Sequence, residues 1–367
     1  MKLAVLKETA AGERRVAATP ETVRKFIGLG AAVAVEAGAG EGAAIPDSAF
    51  AEAGAAVGTR AEVLAGADLV LAVNAPAPEG LPAGAAVAAN FGRDEALAAA
   101  YGAAGLTALA MERMPRITRA QSMDILSSQS NLAGYRAVLD AAAEYGRALP
   151  MMMTAAGTIP AAKVFVLGVG VAGLQAIATA RRLGAVVAAT DVRLATKEQI
   201  LSLGAKPVFV EDEESRQAET AGGYAKEMSD AYKAKQAALI AETIAKQDIV
   251  ITTALIPGRP APRLVNAQHI ASMRPGSVIV DLAVESGGNV EGSRPGEVVV
   301  TEAGVKIVGH RNVSSRVPFD ASALFARNLF NFVSAFWDKE AGRPVWKADD
   351  EIIQGVMVTA AAAPAAA

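Results

Sequence analysis

The chain has 367 residues, enough for two domains that each bury a core. Hydrophobic residues make up 52% and charged residues 20%, a globular balance, and a net charge of -3 supplies no basic footprint for nucleic acid. Without cysteine and with only two histidines, His269 and His310, the chain offers no disulfide or thiolate chemistry and few zinc ligands.

Residues 3–6 read as a first strand rather than the core of a signal peptide, because Lys7 and Glu8 follow at once. No apolar run reaches the ~20 residues of a membrane span, so a soluble, cytoplasmic chain is expected. Thr19-Pro20-Glu21 supplies a cap, a first-turn proline and an acid for a helix that stops at Gly30. Strands follow near 31–35, 69–73, 86–89 and 106–111. The alternation with helical patterns implies a parallel sheet with flanking helices. None of these strand–helix turns carries a phosphate-binding glycine pattern.

The segment 113–136 is dense in polar donors and acceptors and lies just before the second half, a suitable lining for a cleft between domains. The strand 164–167 then empties into Gly168-Val169-Gly170-Val171-Ala172-Gly173, which opens a helix ending near Gly184. The first glycine permits a tight turn, the second lets backbone approach a pyrophosphate, and the third allows close helix–strand packing. First-turn N–H groups and the helix macrodipole then favour phosphate. A second strand over 185–190 ends at Asp191, about 20 residues past the glycines, where an acid suits a ribose 2′-hydroxyl and repels a 2′-phosphate. NAD is favoured on that ground, although Arg193 nearby could serve NADP. Together these signals predict a Rossmann unit over roughly 164–308, with further strands at 207–210 and 248–252.

Between those two strands, residues 211–236 form a polar insertion containing Gly222-Gly223-Tyr224. It reads either as a lid with an aromatic plug on a glycine hinge or as a solvated loop followed by a surface helix. Near the C-terminus, Leu324, Phe325, Leu329, Phe330 and Phe336 mark an amphipathic helix followed by a ragged end. The open face of the N-terminal half is its expected destination. The expected fold is α/β, two Rossmann-like doubly wound parallel-sheet domains with an inter-domain cleft. A discontinuous first domain takes 1–126 plus 318–367, and the NAD(H)-binding domain takes 127–317.

Several long strings carry a family resemblance: KETAAGERRVAATPE at the N-terminus, Met114 through Ala137, the glycine turn with its flanks, TDVR, ETAGGYAKEM, TTALIPG and SVIVDLAVESGGN. Across nearly the whole chain they closely resemble the NAD(H)-binding subunit of proton-translocating transhydrogenases. The resemblance implies that Arg116, Gln121 and Asp124 hold the nicotinamide and its ribose, with Ser127 as a further contact. It implies that Gly168, Gly170, Val171 and Gly173 form the pyrophosphate turn and that Asp191, Val192 and Arg193 meet the adenosine. Gly223 and Tyr224 would belong to a mobile loop closing over NAD(H), with Gln236 and Leu255 nearby. It further implies a homodimer working with subunits that bind NADP(H) and span the membrane, peripheral on the cytosolic face of the inner membrane. Without the resemblance, Arg116 and Asp124 read equally well as an inter-domain ion pair.

Alanine dehydrogenase is similar in fold and in the N-terminal string. Its catalytic histidine would fall near Asn90 and its substrate lysine near Asn74, its acid after the 278–281 strand becomes Glu285, and Arg15 alone is retained from its substrate contacts. Oxidising an alcohol or amine moves a proton with the hydride and calls for a general base; transfer between two nicotinamides calls for none. A non-catalytic NAD-binding regulatory module is the third reading. His310, at a late strand end, reads as structural, and His269 as a bland residue of a surface helix.

Overall fold

In the computed structural model, which describes residues 1–92, 94–210, 229–256 and 259–359, the chain divides into two compact units. One comprises Met1–Gln129 with Ser314–Ala367, the other Ser130–Val313. The division falls inside the helix Ile125–Glu144.

In the first unit six parallel strands stand in the order β3-β2-β1-β4-β5-β6. They are β1 (Lys2–Val5), β2 (Ala32–Glu36), β3 (Ala56–Gly58), β4 (Leu69–Asn74), β5 (Ala86–Asn90) and β6 (Thr107–Ala110). The chain leaves β1 in one direction and returns beside it at β4, so the strand order reverses between them. Successive side chains point to opposite faces: Leu3 and Val5 enter one core, Ala4 and Leu6 the other. Burial on both faces is what a parallel sheet flanked by helices requires. The helix Pro20–Gly28 starts as expected, with Thr19 and Thr22 in a reciprocal capping box. The three-residue β3 at the edge is additional to the expected strands; its half-exposed Ala-Val-Gly has too little pattern to announce itself.

The helix Pro318–Ala335 sends Phe325, Leu329, Phe332 and Val333 into the same core as Leu3 and Val5. Beyond this helix the structure corrects the expected ragged end. Trp337–Asp338 pairs with Arg343–Pro344, and Trp346 stacks on Phe332 at 5.3 Å and 9°. The helix Glu351–Val356 then buries Ile352, Ile353 and Val356. Past that helix the Ala108 N–H donates to Thr359 Oγ1 at 2.9 Å and the Val358 N–H donates to the Ala108 carbonyl, covering the edge of β6. This tail is ordered by what it packs against, which its short apolar pattern does not reveal.

In the second unit a hairpin, β7 (Met152–Thr154) and β8 (Gly157–Ile159), precedes β9 (Lys163–Leu167). The sheet continues with β10 (Val186–Thr190), β11 (Lys206–Pro207), β12 (Ile249–Thr252), β13 (Val278–Asp281), β14 (Val298–Val300) and β15 (Lys306–Val308). The order is β11-β10-β9-β12-β13-β15-β14, parallel except for β14, and it reverses between β9 and β12. Only two residues of the expected 207–210 strand region pair with β10, Lys206 and Pro207, since β11 is an edge strand and Pro207 has no N–H for a ladder.

Gly223 and Tyr224 of the expected lid lie outside the described residues. The segment after them is helical from Asp230 to Ile244 and carries a half-buried Gln236. One turn earlier, Tyr232 is buried against Val192 and Val210. Among the described residues no helix is long and apolar enough to cross a membrane.

Candidate functional site

The glycine turn sits at the end of β9, where the strand order of the second unit reverses, the usual place for a ligand in an open α/β sheet. Its three glycines have three different physical reasons. Gly168 has φ +95°, and a Cβ there would lie 2.7 Å from Thr253 Oγ1. Thr253 Oγ1 donates to the Gly168 carbonyl at 3.0 Å, tying the turn to the loop after β12. A Cβ at Gly173 would collide with the Gly168 carbonyl. Gly170 is different: its φ is -81° and no protein atom lies within 4 Å of a Cβ position. Neither strain nor packing within the protein requires glycine there.

Gly170 caps the helix Val171–Arg182 without any side-chain hydrogen bond, which leaves first-turn N–H groups for another acceptor. Val171, the first helical residue, is 41% exposed. The neighbouring helix closes in tightly: a Cβ at Gly134 would collide with the Ala172 carbonyl. No local signal in the sequence points to Gly134, because only the packing of the two helices demands it.

Asp191 stands just beyond the end of β10 and is almost fully buried. Its Oδ2 accepts the Val169 N–H at 2.7 Å and its Oδ1 the Arg193 N–H at 2.9 Å. The Arg193 guanidinium adds Nε to Oδ1 and Nη2 to Oδ2, both at 2.9 Å, and Nη2 also reaches the Val169 carbonyl at 3.3 Å. Asp191 and Arg193, set against each other as NAD and NADP signals in the sequence, are one ion pair in the structure.

Leu255, 51% exposed, lies in the loop after β12. That loop is held by Asn289, a fully buried residue that sequence reasoning passed over. Its amide accepts the Ala254 N–H at 3.0 Å and donates to the carbonyls of Ala254 and Pro262 at 2.9 and 2.8 Å. Asp281, at the end of β13, in turn accepts from the Asn289 N–H at 3.2 Å, the Thr252 hydroxyl at 3.2 Å and the Ala283 N–H at 3.0 Å. The signal for these residues was confined to their presence in the strings around the VIVD strand.

In the first unit, Arg116 and Gln121 are exposed, and Gln121 belongs to the short 3-10 helix Thr118–Met123. Asn328 and Asn331 each donate to the carbonyl of neighbouring Ser122, at 2.8 and 3.0 Å. Arg119 forms a two-pronged ion pair with Asp350, both bonds 2.9 Å. Asp124 caps the helix Ile125–Glu144. Its Oδ1 accepts the N–H groups of Leu126 and Ser127, at 2.8 and 3.1 Å, and the Ser127 hydroxyl donates to Oδ2 at 2.5 Å. Asp124 and Ser127 are therefore brought together as a helix cap, a role that the sequence reading did not assign.

The positions at which alanine dehydrogenase differs are also engaged. Arg15 is buried, its guanidinium donating to Glu13 at 2.6 and 2.8 Å and to Gln129 at 2.9 Å. Asn74 Nδ2 bridges Glu8 and Glu13 at 3.1 and 3.2 Å, and burial pushes the Glu8 carboxyl above the ordinary carboxylate range. Asn90 Oδ1 accepts the Gly92 N–H at 3.0 Å, and Glu285 accepts the Asn312 N–H at 2.9 Å. His310 is half-buried. His269 is not on the surface as expected: it is buried, and its Nδ1 accepts the Asn266 N–H at 3.2 Å in a capping box. Burial lowers its pKa and favours the neutral ring that this acceptor role needs.

Comparison with known proteins covers nearly the whole chain. The family model described as alanine dehydrogenase/PNT, N-terminal domain, matches residues 4–133, and that described as alanine dehydrogenase/PNT, C-terminal domain, matches 137–363. The first of the split alpha chains of NAD(P) transhydrogenase from Rhodospirillum rubrum is 56% identical over 98% of this chain and 96% of its own length. The crystal structure of transhydrogenase from Sinorhizobium meliloti superposes with a TM-score of 0.90 at 54% identity, covering 99% of both chains. Alanine dehydrogenase from Mycobacterium tuberculosis is 32% identical over 80% of this chain and 76% of its own length.

Proposed function

As the chain belongs to the alanine dehydrogenase/PNT family, we propose that it is the NAD(H)-binding alpha chain of a split-subunit NAD(P) transhydrogenase. It binds NADH and passes the hydride directly to NADP+ held on a separate subunit. The reading rests above all on the glycine turn. Gly170 leaves a Cβ-sized space facing no protein atom, beside an uncapped helix N-terminus and at the reversal of the strand order. This cradle fits a pyrophosphate.

The residues divide the work. Gly168 and Gly173 keep the turn tight, and the N–H groups that follow Gly170 hold the pyrophosphate. Asp191, Val192 and Arg193 take the adenosine end, with Asp191 selecting the ribose hydroxyls. Arg116, Gln121, Asp124 and Ser127 orient the nicotinamide and its ribose. Gln236 and Leu255 are further contacts, Leu255 presented by the loop that Asn289 holds. Gly223 and Tyr224 close over the bound nucleotide.

The nicotinamide supplies the hydride. The protein's part is to align it and exclude water, which needs no proton-moving side chain at the reacting carbon. In support of that, Asn74 and Asn90 stand where alanine dehydrogenase would carry its lysine and histidine, and both amides are engaged within the protein. The homodimer, the NADP(H)-binding subunit and the proton-conducting membrane subunits belong to this proposal. The test is NADH binding by the chain alone, followed by hydride transfer to an NADP+ analogue with and without the NADP-binding partner. Transfer only in the reconstituted complex is expected. NAD-dependent oxidation of alanine by the chain alone would overturn the assignment, and nucleotide binding without transfer would point to a regulatory module.

A further inference from the structure

The ion pair at the end of β10 has a geometry that a simple ribose acceptor does not need. A carboxylate offers roughly four lone-pair positions, and all four on Asp191 are taken: Oδ1 by the Arg193 N–H and Nε, Oδ2 by the Val169 N–H and Arg193 Nη2. The two backbone donors are built into the glycine turn and the strand end, so they stay. The guanidinium alone can leave. It also spans to the Val169 carbonyl, which places it across the mouth of the turn between the ends of β9 and β10.

Building on the nucleotide site proposed for this turn, we infer that Arg193 is a displaceable latch on Asp191, and that this latch sets the choice between a free and a phosphorylated ribose 2′ position. A ribose diol gains its acceptors on Asp191 only as the guanidinium swings off, exchanging donors on the same carboxylate. A 2′-phosphate nucleotide offers no donor to replace the guanidinium, and it would leave Asp191 as an unpaired like charge. At the same time Asp191 keeps for itself the one nearby cation that could have held the phosphate. The two residues act as a unit: the acid repels the phosphate and also withholds the arginine. A bidentate pair with 7% of the aspartate and 17% of the arginine side chain exposed is well suited to this, being ordered yet open on one side.

The latch is distinguished from an ordinary pair of contacts by non-additivity. NADH and NADPH binding to the full chain are measured by fluorescence titration for the wild type, Asp191→Asn, Arg193→Ala and the double variant. Stopped-flow association of NADH is recorded alongside, and thermal unfolding checks that each variant is folded. Asp191→Asn is expected to bind NADPH about tenfold or more tighter than the wild type, and the double variant is expected to lose that gain. Arg193→Ala alone is expected to speed NADH association at least threefold, since the displacement step is gone. If the double variant gains as much NADPH affinity as Asp191→Asn, or if Arg193→Ala leaves the association rate unchanged or slower, the latch is overturned while the nucleotide site stands. A wild-type chain that binds neither nucleotide overturns the site reading itself.

Discussion

Gly170→Ala separates a glycine kept for a ligand from glycines kept for the fold. The backbone at Gly170, φ -81° and ψ -164°, is open to alanine, and a Cβ there meets no protein atom within 4 Å. Alanine lowers the entropy of the unfolded chain, a gain of about 0.4–1 kcal/mol, but it is a poorer helix cap than glycine by a comparable amount. The net change in stability is expected within about 0.5 kcal/mol, a shift of roughly 1–2 °C in Tm for a unit of this size. The same methyl group stands where a pyrophosphate would lie against backbone, an overpacking of about 1–3 kcal/mol. That corresponds to roughly a 5- to 150-fold loss of NADH affinity. Gly173→Ala is the internal control, because its Cβ collides with the Gly168 carbonyl. It should lower Tm and affinity together. The assay is differential scanning calorimetry paired with NADH titration on the same preparations. A Gly170→Ala protein that binds NADH within threefold of the wild type, or that unfolds several degrees early, would refute the reasoning.

Asn289→Ala leaves the polar groups of Ala254 and the Pro262 carbonyl without their buried partner, and a loss of about 2–4 kcal/mol is expected in chemical denaturation. An unchanged midpoint would show that the loop finds other partners. Asp124→Asn keeps an acceptor for the helix cap, so stability should hold to about 0.5 kcal/mol, whereas Asp124→Ala should cost about 1 kcal/mol. NADH binding weakened by Asp124→Asn would then report its ligand role, and unchanged binding would leave Asp124 as a cap alone. Glu21, held down to about 2 chiefly by the Arg327 hydrogen bond and then by Lys25, contributes stability that is present above the ordinary carboxylate range. That contribution is lost as pH falls from about 4.5 towards 2. Both partners are well exposed, so Glu21→Gln should cost less than about 1 kcal/mol at neutral pH, and high salt should erase the difference. A larger, salt-insensitive loss would contradict this.

What the sequence alone determined were features whose physics is local. A strand emptying into Gly168-Val169-Gly170 and opening a helix is recognisable because turn strain, close approach and capping act within a few residues. The same holds for Thr19-Pro20 at the first helix and for the β–α alternation of both halves. The tertiary structure decided everything that depends on residues distant in the chain. Gly134 is required only because Ala172 packs against it, and Asn289 matters only because the loop after β12 folds back to it. The tail at 351–359 is ordered because an edge strand and an open core face await it. His269 is buried for a similar reason: its surroundings outweigh a short helical pattern that reads as surface. Asp124 became a cap, and Asp191 and Arg193 became one unit, once orientation and hydrogen-bond directions were known. Sequence specifies which groups are available; only the packed backbone decides which of them meet, since hydrogen bonds and collisions act over a few ångströms of space and are indifferent to separation along the chain.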